Sequence, residues 1–328
     1  MAKLVTIFGG AGFVGRYIAR RMAKDGWRVR VAVRRPNEAL HVKPYGVVGQ
    51  VEPIFANIRD DASVRAAISG ADAVVNCVGT FDAKGPNNFD AVMHEGAGRI
   101  ARIASEEGAT QFVHISAIGA DPEGKSLYAR AKGKGEAAIL AAFPGAVILR
   151  PSVIFGPEDQ FFNRFAGMPG PVLPVAGGHT KFQPVYVDDV ARAACLGIEG
   201  EAEAGIYELG GPDVESFADL MHVMLGIIRR RKLVLNLPFW AARAIAFFGG
   251  IGQAMSLGAI KSPITSDQVE SLRSDNVVSE GAMGFSELGL QPQAMEAILP
   301  DYLWRFRPSG QYNDIKALAE NLRRDGQL

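Results

Sequence analysis

The sequence predicts an α/β fold, built on a doubly wound parallel sheet with a second, smaller and mostly helical lobe. Three observations predict it. Short runs rich in Val, Ile and Phe alternate with helix-spaced segments through the first 150 residues. No two-residue hairpin signal separates these runs, so consecutive strands need crossovers and lie parallel. The first run ends in a glycine triplet that opens a helix, as in the Rossmann arrangement.

The elements follow in order. Leu4 to Phe8 reads as the first strand, and Arg16 to Asp25 has the spacing of the helix after it. Val29 to Val33 is the second strand and Val51 to Ala56 the third, with a Pro- and Gly-bearing loop between them. Ser63 to Ser69 is helical, Ala73 to Val78 is the fourth strand, and Phe89 to Glu107 is one long helix. Phe112 to Ser116, Leu127 to Ala142 and Ala146 to Leu149 complete the alternation as strand, helix and strand. Beyond Pro151 the rhythm breaks into loops, until Phe182 to Val187 offers a strand and Asp188 or Asp189 caps the helix Val190 to Gly197. The expected division is a dinucleotide-binding domain of residues 1–155 plus about 182–200. A smaller C-terminal lobe takes 156–181 plus about 201–328.

Composition narrows the function classes. The chain has 328 residues, 48% apolar and 21% charged, which excludes a disordered or collagen-like chain. Thirty-five Lys and Arg balance thirty-five Asp and Glu, so no net field draws the chain to nucleic acid, and none is expected as a partner. Two cysteines, Cys77 and Cys195, form neither a CxxC pair nor a cluster with the scattered His41, His94, His114, His179 and His222. A reducing compartment and no metal site are expected. Apolar periodicity starts at Leu4, so neither a secretory leader nor a transit peptide is expected within this chain. The longest charge-free apolar run, Ala244 to Ile260, carries four glycines and is short for a bilayer span, so a soluble chain with one greasy segment is expected.

Chemistry concentrates at three places. Gly9, Gly12 and Gly15 stand in GGAGFVG, with Phe13 and Val14 opening the helix. The glycines permit a tight turn and close approach of a pyrophosphate, and the helix N-terminus favours negative charge. The second strand ends in Arg34 and Arg35 where an NAD-selective site places an acid, and Glu38 comes only after Pro36. Two guanidiniums can fork onto a ribose 2′-phosphate, so the expected cofactor is NADPH; the bland alternative is an exposed basic loop. Tyr128 and Lys132 lie one helical turn apart on one face. In a cofactor cleft the ammonium can hold the ribose and the phenol can act as acid or base beside a hydride transfer. The adjacent acids Asp60 and Asp61 read as a helix cap rather than an acid–base pair.

These motifs, with Asn76-Cys77-Val78-Gly79, Leu149 to Pro157 and Pro184 to Ala191, resemble the extended and atypical short-chain dehydrogenase/reductases over nearly all of residues 1–200. More narrowly, Val113 to Ala120, Arg130 to Glu136 and Pro238-Phe239-Trp240 resemble the nucleotide-binding accessory subunits of respiratory complex I, the NADH:ubiquinone oxidoreductase. The resemblance implies that NADPH is held firmly in a structural or regulatory role, without turnover. It implies that Asn57 and Ile58 face the adenine and that Val78, Gly79 and Pro151 line the nucleotide. The implied partners are other subunits of a respiratory membrane complex. The implied location is peripheral, on the cytoplasmic face of the inner membrane or the matrix face in a mitochondrion. Enzymes of the broader family place a Ser or Thr just after the fifth strand. Here that slot falls near Ile118, which cannot polarise a carbonyl, or at Ser116 if the register moves by two residues. The alternative function is an NADP(H)-dependent reductase, dehydrogenase or epimerase acting on a small molecule.

Arg229, Arg230, Arg231 and Lys232 precede an apolar stretch holding Phe239 and Trp240 and running as a helix to Phe248. Such a pairing can lie on an anionic membrane surface or on a membrane-embedded partner. Equally, it can form the core of the second lobe with its cations solvated.

Overall fold

The computed structural model describes residues 2–80, 85–244, 265–308 and 310–312. In chain order its strands are β1 (Leu4–Phe8), β2 (Arg28–Val33), β3 (Val51–Phe55), β4 (Ala73–Asn76), β5 (Gln111–Ile115), β6 (Val147–Pro151) and β7 (Ile154–Phe155). There follow β8 (Val172–Ala176), β9 (Lys181–Phe182), β10 (Val185–Tyr186), β11 (Gly205–Leu209), β12 (Glu215–Ser216) and β13 (Leu233–Leu237). The helices are α1 (Phe13–Lys24), α2 (Asp61–Ile68), α3 (Gly96–Glu106), α4 (Leu127–Ala142) and α5 (Phe162–Ala166). Next come α6 (Val187–Glu199), α7 (Phe217–Ile227), α8 (Ser266–Ser271) and α9 (Met295–Leu303).

The chain forms two compact units. The first comprises residues 1–152, 187–211 and 276–292, and is built on a seven-stranded sheet in the order β11-β6-β5-β4-β1-β2-β3. Every pairing in that sheet is parallel. The interior strand β1 is buried along its whole length, and its one polar residue, Thr6, donates its hydroxyl to the Ala67 carbonyl at 2.9 Å. Apolar residues on one sheet face, among them Phe8, Val74, Phe112 and Ile148, pack against Ile100 and Ile103 of α3 and Ile139 of α4. On α1 and α6, Arg21 meets Asp188 through two hydrogen bonds. The order reverses between β1 and β4, and such a switch point opens a crevice at the carboxyl ends of the strands.

The second unit comprises residues 153–186, 212–275 and 293–328. Its core joins Phe155, Phe162, Leu173 and Phe217 to Met221, Leu299 and Tyr302. Asp159 is buried there and accepts from the Gly156, Phe161 and Asn163 amides and from the Tyr302 hydroxyl, which fixes the turn leading into α5.

Several expectations are corrected. The sequence reading places residues 201–211 in the smaller lobe, yet β11 pairs with β6 and extends the parallel sheet. Residues 182–186 go the other way, because β9 and β10 are two-residue bridges belonging to the second unit. The helix expected over Phe89–Glu107 opens with a wide π turn at Asp90–Glu95 before α3. Close packing explains it: a Cβ on Gly135 of α4 would lie 2.0 Å from the Met93 carbonyl oxygen, so the two backbones touch there. Neither Asp188 nor Asp189 is an N-cap; α6 begins at Val187 and both acids sit in its first turn. Residues 245–260, all but the first of the greasy run and including the end of the helix expected to reach Phe248, lie outside the described residues.

Candidate functional site

The glycine turn after β1 sits at the switch point. Gly9 takes φ +75°, a conformation L side chains rarely adopt, and a Cβ there would meet the Cys77 carbonyl at 3.2 Å. A Cβ on Gly15 would lie 2.5 Å from the Gly9 carbonyl oxygen, so α1 packs directly on the turn only because that residue is glycine. Gly12 caps α1 with no side-chain hydrogen bond, which leaves the first helical turn, Phe13, Val14 and Gly15, to present backbone to a ligand. A pyrophosphate fits such a cradle: backbone donors and the helix dipole favour negative charge, and no acid stands in the first turn of α1.

At the ends of β2 and β3 the side chains diverge in role. Arg34 and Arg35 are both exposed, and Arg35 pairs with Glu38 at 3.0 Å. That pair is open to solvent and weak, so a phosphate competes with Glu38 for the guanidinium. Asn57 is held locally, its amide donating to Ser63 Oγ at 2.9 Å and its Oδ1 accepting from the Arg59 amide at 3.2 Å. Ile58 packs against Gly96 and its carbonyl accepts from Arg99 at 3.0 Å. Asp60 caps α2 by accepting from the Ala62 amide at 3.0 Å, as the sequence suggests.

After β4, the Asn76 side chain accepts from the Val78 amide at 3.0 Å and shapes the turn that leads to exposed Gly79. Val78 packs beside Phe89, Val92 and Tyr128. The Asn76 side-chain nitrogen and both ring nitrogens of His114 are buried with no partner among the described residues. Burial, reinforced by the Lys132 charge, pushes His114 well below the usual histidine range and keeps its ring neutral.

Ser126 caps α4 by accepting from the Ala129 amide at 2.9 Å, which starts the helix that carries Tyr128 and Lys132. Tyr128 is half-buried edge-to-face against Phe89, centroids 6.0 Å apart, and desolvation pushes its phenol up to about 12. Lys132 is buried and donates from Nζ to the Ile115 carbonyl at 2.9 Å. Its burial pulls the ammonium down to about 8, while the carboxylate of Glu136 and then Cys77 act to raise it.

Sequence reasoning missed what surrounds this pair. Buried Glu136, one turn beyond Lys132, accepts the Ser116 hydroxyl and three guanidinium bonds from Arg150: Nε to Oε1 at 3.0 Å and to Oε2 at 3.2 Å, and Nη2 to Oε2 at 2.6 Å. Arg150 also reaches Glu208 at 3.5 Å, and Glu208 accepts the Ser279 amide at 2.8 Å. Two signals could have found the network: an acid at i+4 from Lys132 amid Gly and Ala, and an arginine inside an apolar strand. The slot question resolves into geometry: Ser116 is buried on Glu136, whereas half-buried Ile118 donates its amide to the Pro151 carbonyl at 3.0 Å. Pro151 itself is buried at the end of β6.

On the second unit, Arg229 to Lys232 follow the C-terminus of α7. Arg229 takes φ 52°, and Arg229 and Arg230 line a shallow groove with His222. Arg230 and Arg231 are exposed, as are Leu233, Leu235 and Trp240 nearby. Lys232 is half-buried and donates from its ammonium to the Met168 carbonyl, which ties one of its three N–H donors. Among the described residues no helix is long and apolar enough to cross a membrane, and no group of three or more His, Cys, Asp or Glu could hold a metal ion.

Comparison with known proteins adds to this geometry. A family model described as the NAD dependent epimerase/dehydratase family matches residues 5–210. The chain is 34% identical over 320 residues to NADH dehydrogenase (ubiquinone) 1 alpha subcomplex subunit 9, mitochondrial, of Arabidopsis thaliana, covering 94% of this chain and 79% of that one. It is also 34% identical over 241 residues to a ceramide reductase of Caulobacter vibrioides, covering 72% of this chain and 74% of the relative. In fold it is similar to the UDP-glucose 4-epimerase of Thermus thermophilus solved with NAD, with a TM-score of 0.64, 18% identity, and coverage of 93% and 99% of the two chains.

Proposed function

We propose that this chain, which belongs to the NAD dependent epimerase/dehydratase family, is an accessory subunit of a respiratory NADH:ubiquinone oxidoreductase that holds NADPH without turning it over. The single observation that carries the subunit assignment is the 34% identity across 94% of the chain to the plant mitochondrial subunit. Gly9 to Gly15 would hold the pyrophosphate, Arg34 and Arg35 the 2′-phosphate, Asn57 and Ile58 the adenine, and Lys132 the ribose. Val78, Gly79, Tyr128 and Pro151 complete the lining. When bound, the cofactor supplies a hydride donor.

What the chain's own residues do argues against its use. Carbonyl reduction needs a hydroxyl donor beside the tyrosine, and the Ser116 hydroxyl is committed to Glu136 while Ile118 has none. The partners are other subunits of the complex, and the chain sits peripherally on the matrix face, or on the cytoplasmic face in a bacterium. Arg229, Arg230, Arg231 and Lys232 add attraction to anionic lipid, about 1 kcal/mol per cation near the surface.

A second reading is favoured by one observation: the ceramide reductase matches over 72% of this chain, and Tyr128 with Lys132 is intact. Under it the chain reduces a lipid-like carbonyl. One preparation decides between the two. The nucleotide is released from the purified chain by denaturation and identified, and loss of NADPH absorbance is then followed with carbonyl substrates, ceramide precursors included. We expect bound NADPH, no turnover, and unchanged retention in Tyr128→Phe. Turnover abolished by Tyr128→Phe would establish the reductase instead.

A further inference from the structure

The charges on α4 face one short piece of backbone. Lys132 donates to the carbonyl of Ile115 at 2.9 Å, and the next residue, Ser116, donates its hydroxyl to Glu136. Lys132 and Glu136 are one helical turn apart, both on the buried side of α4, at 5% and 3% exposure. Arg150 fixes the carboxylate with two parallel bonds, so Glu136 cannot swing away. Among the other groups around Lys132, Cys77 alone also acts to keep it charged, and less strongly than Glu136. Cys77, after β4, is a thiol pushed up to about 12 by burial, His114 on β5 is held neutral, and Tyr128 on α4 is a phenol. Arg150 on β6 is itself a cation, spent on Glu136 and Glu208.

We propose that Glu136 is the positioning residue for Lys132: clamped by Arg150 and Ser116, its carboxylate keeps Lys132 charged in its seat against the end of β5. The consequence for the cofactor, which rests on the reading above, is that the ribose meets an ammonium rather than a neutral amine. Without this acid the buried cation would shed its proton at lower pH, because desolvation penalises the charged form and Glu136 is the larger of the two groups that oppose it.

The test is the pH midpoint of the Lys132 13Cε resonance in nucleotide-free full-length chain, assigned by its absence from Lys132→Arg. We expect a midpoint near 8 in the wild type and a midpoint lower by about one pH unit in Glu136→Gln, the size of one nearby opposite charge. Glu136→Asp, which keeps the charge, should stay closer to the wild type. A folded Glu136→Gln with an unmoved midpoint overturns the proposal. If Glu136→Gln does not fold, the double variant Lys132→Met, Glu136→Gln decides: recovery of folding supports compensation of the two charges. Failure of the double variant, beside a folded Lys132→Met, overturns it. NADPH titrations of the same proteins separate the two readings. Binding should weaken from pH 7 to 9, and at lower pH in Glu136→Gln. A shifted midpoint with no NADPH binding at all would strike the cofactor reading and leave the pairing intact.

Discussion

Lys132 is a buried base, and burial works against its charge. Its ammonium titrates near 8 in the folded chain and near 10.5 in the unfolded one, so between those values the unfolded chain binds a proton that the folded chain has released. Stability contributed by this group is lowest below pH 8 and rises with pH across the window. Cys77 and Tyr128 act in the opposite sense: each is raised to about 12, so the folded chain keeps protons that the unfolded chain loses from about pH 9 and 10 upward. Comparison with Lys132→Met isolates the lysine. In urea unfolding from pH 7.5 to 9.5 the wild type should gain on the variant by about 1 kcal/mol per pH unit above 8. Parallel profiles would show that Lys132 is not titrating there. At the proposed 2′-phosphate site, Arg34→Ala with Arg35→Ala should weaken NADPH by about 1–3 kcal/mol per lost charge-assisted contact and leave NADH unchanged. Calorimetry with both nucleotides reads this, and equal affinity for the two in the unmodified chain would contradict the choice of NADPH.

At the scale of elements, α4 is where sequence and structure agree most closely and where they also part. Its span of Leu127–Ala142 was legible because Ser126 is a good cap and the helical spacing is unbroken. Tyr128 and Lys132 were legible as a same-face pair for the same reason. Their environment was not, since Ser116, Glu136, Arg150 and Glu208 meet through tertiary pairing of β5, β6 and β11 that no local pattern encodes. The seventh strand escaped likewise: Gly205–Leu209 is a short run after loops, and only its register against Val147–Pro151 makes it part of the sheet. Packing of α4 on the π turn rests on Gly135, where a Cβ would lie 2.0 Å from Met93 backbone. Gly135→Ala should therefore destabilise the chain by about 1–3 kcal/mol through overpacking. Gly226→Ala, inside α7 with nothing within 4 Å of the new Cβ, should be neutral or stabilise by up to about 1 kcal/mol. Thermal unfolding of the pair checks this, and equal effects at the two positions would contradict the close-packing account.

The whole molecule carries no net charge, so its attachment to anything larger depends on local surface rather than on an overall field. The surface offers a few candidates, among them exposed Arg230 and Arg231 beside Leu233, Leu235 and Trp240. Lys232, half-buried, gives one ammonium hydrogen bond to the Met168 carbonyl and keeps its charge in the same cluster. Under the proposed subunit role, protein contact supplies most of the hold, with an apolar core and a polar rim as in other interfaces. The most direct measurement follows from that. Native membranes are washed in high salt, extracted in mild detergent and run on a native gel, and the band containing this chain is identified by mass spectrometry. Most of the chain should survive the wash and migrate in one band with the subunits of the NADH:ubiquinone oxidoreductase. Complete release by salt as a free monomer, with the respiratory complex intact elsewhere on the gel, would contradict it.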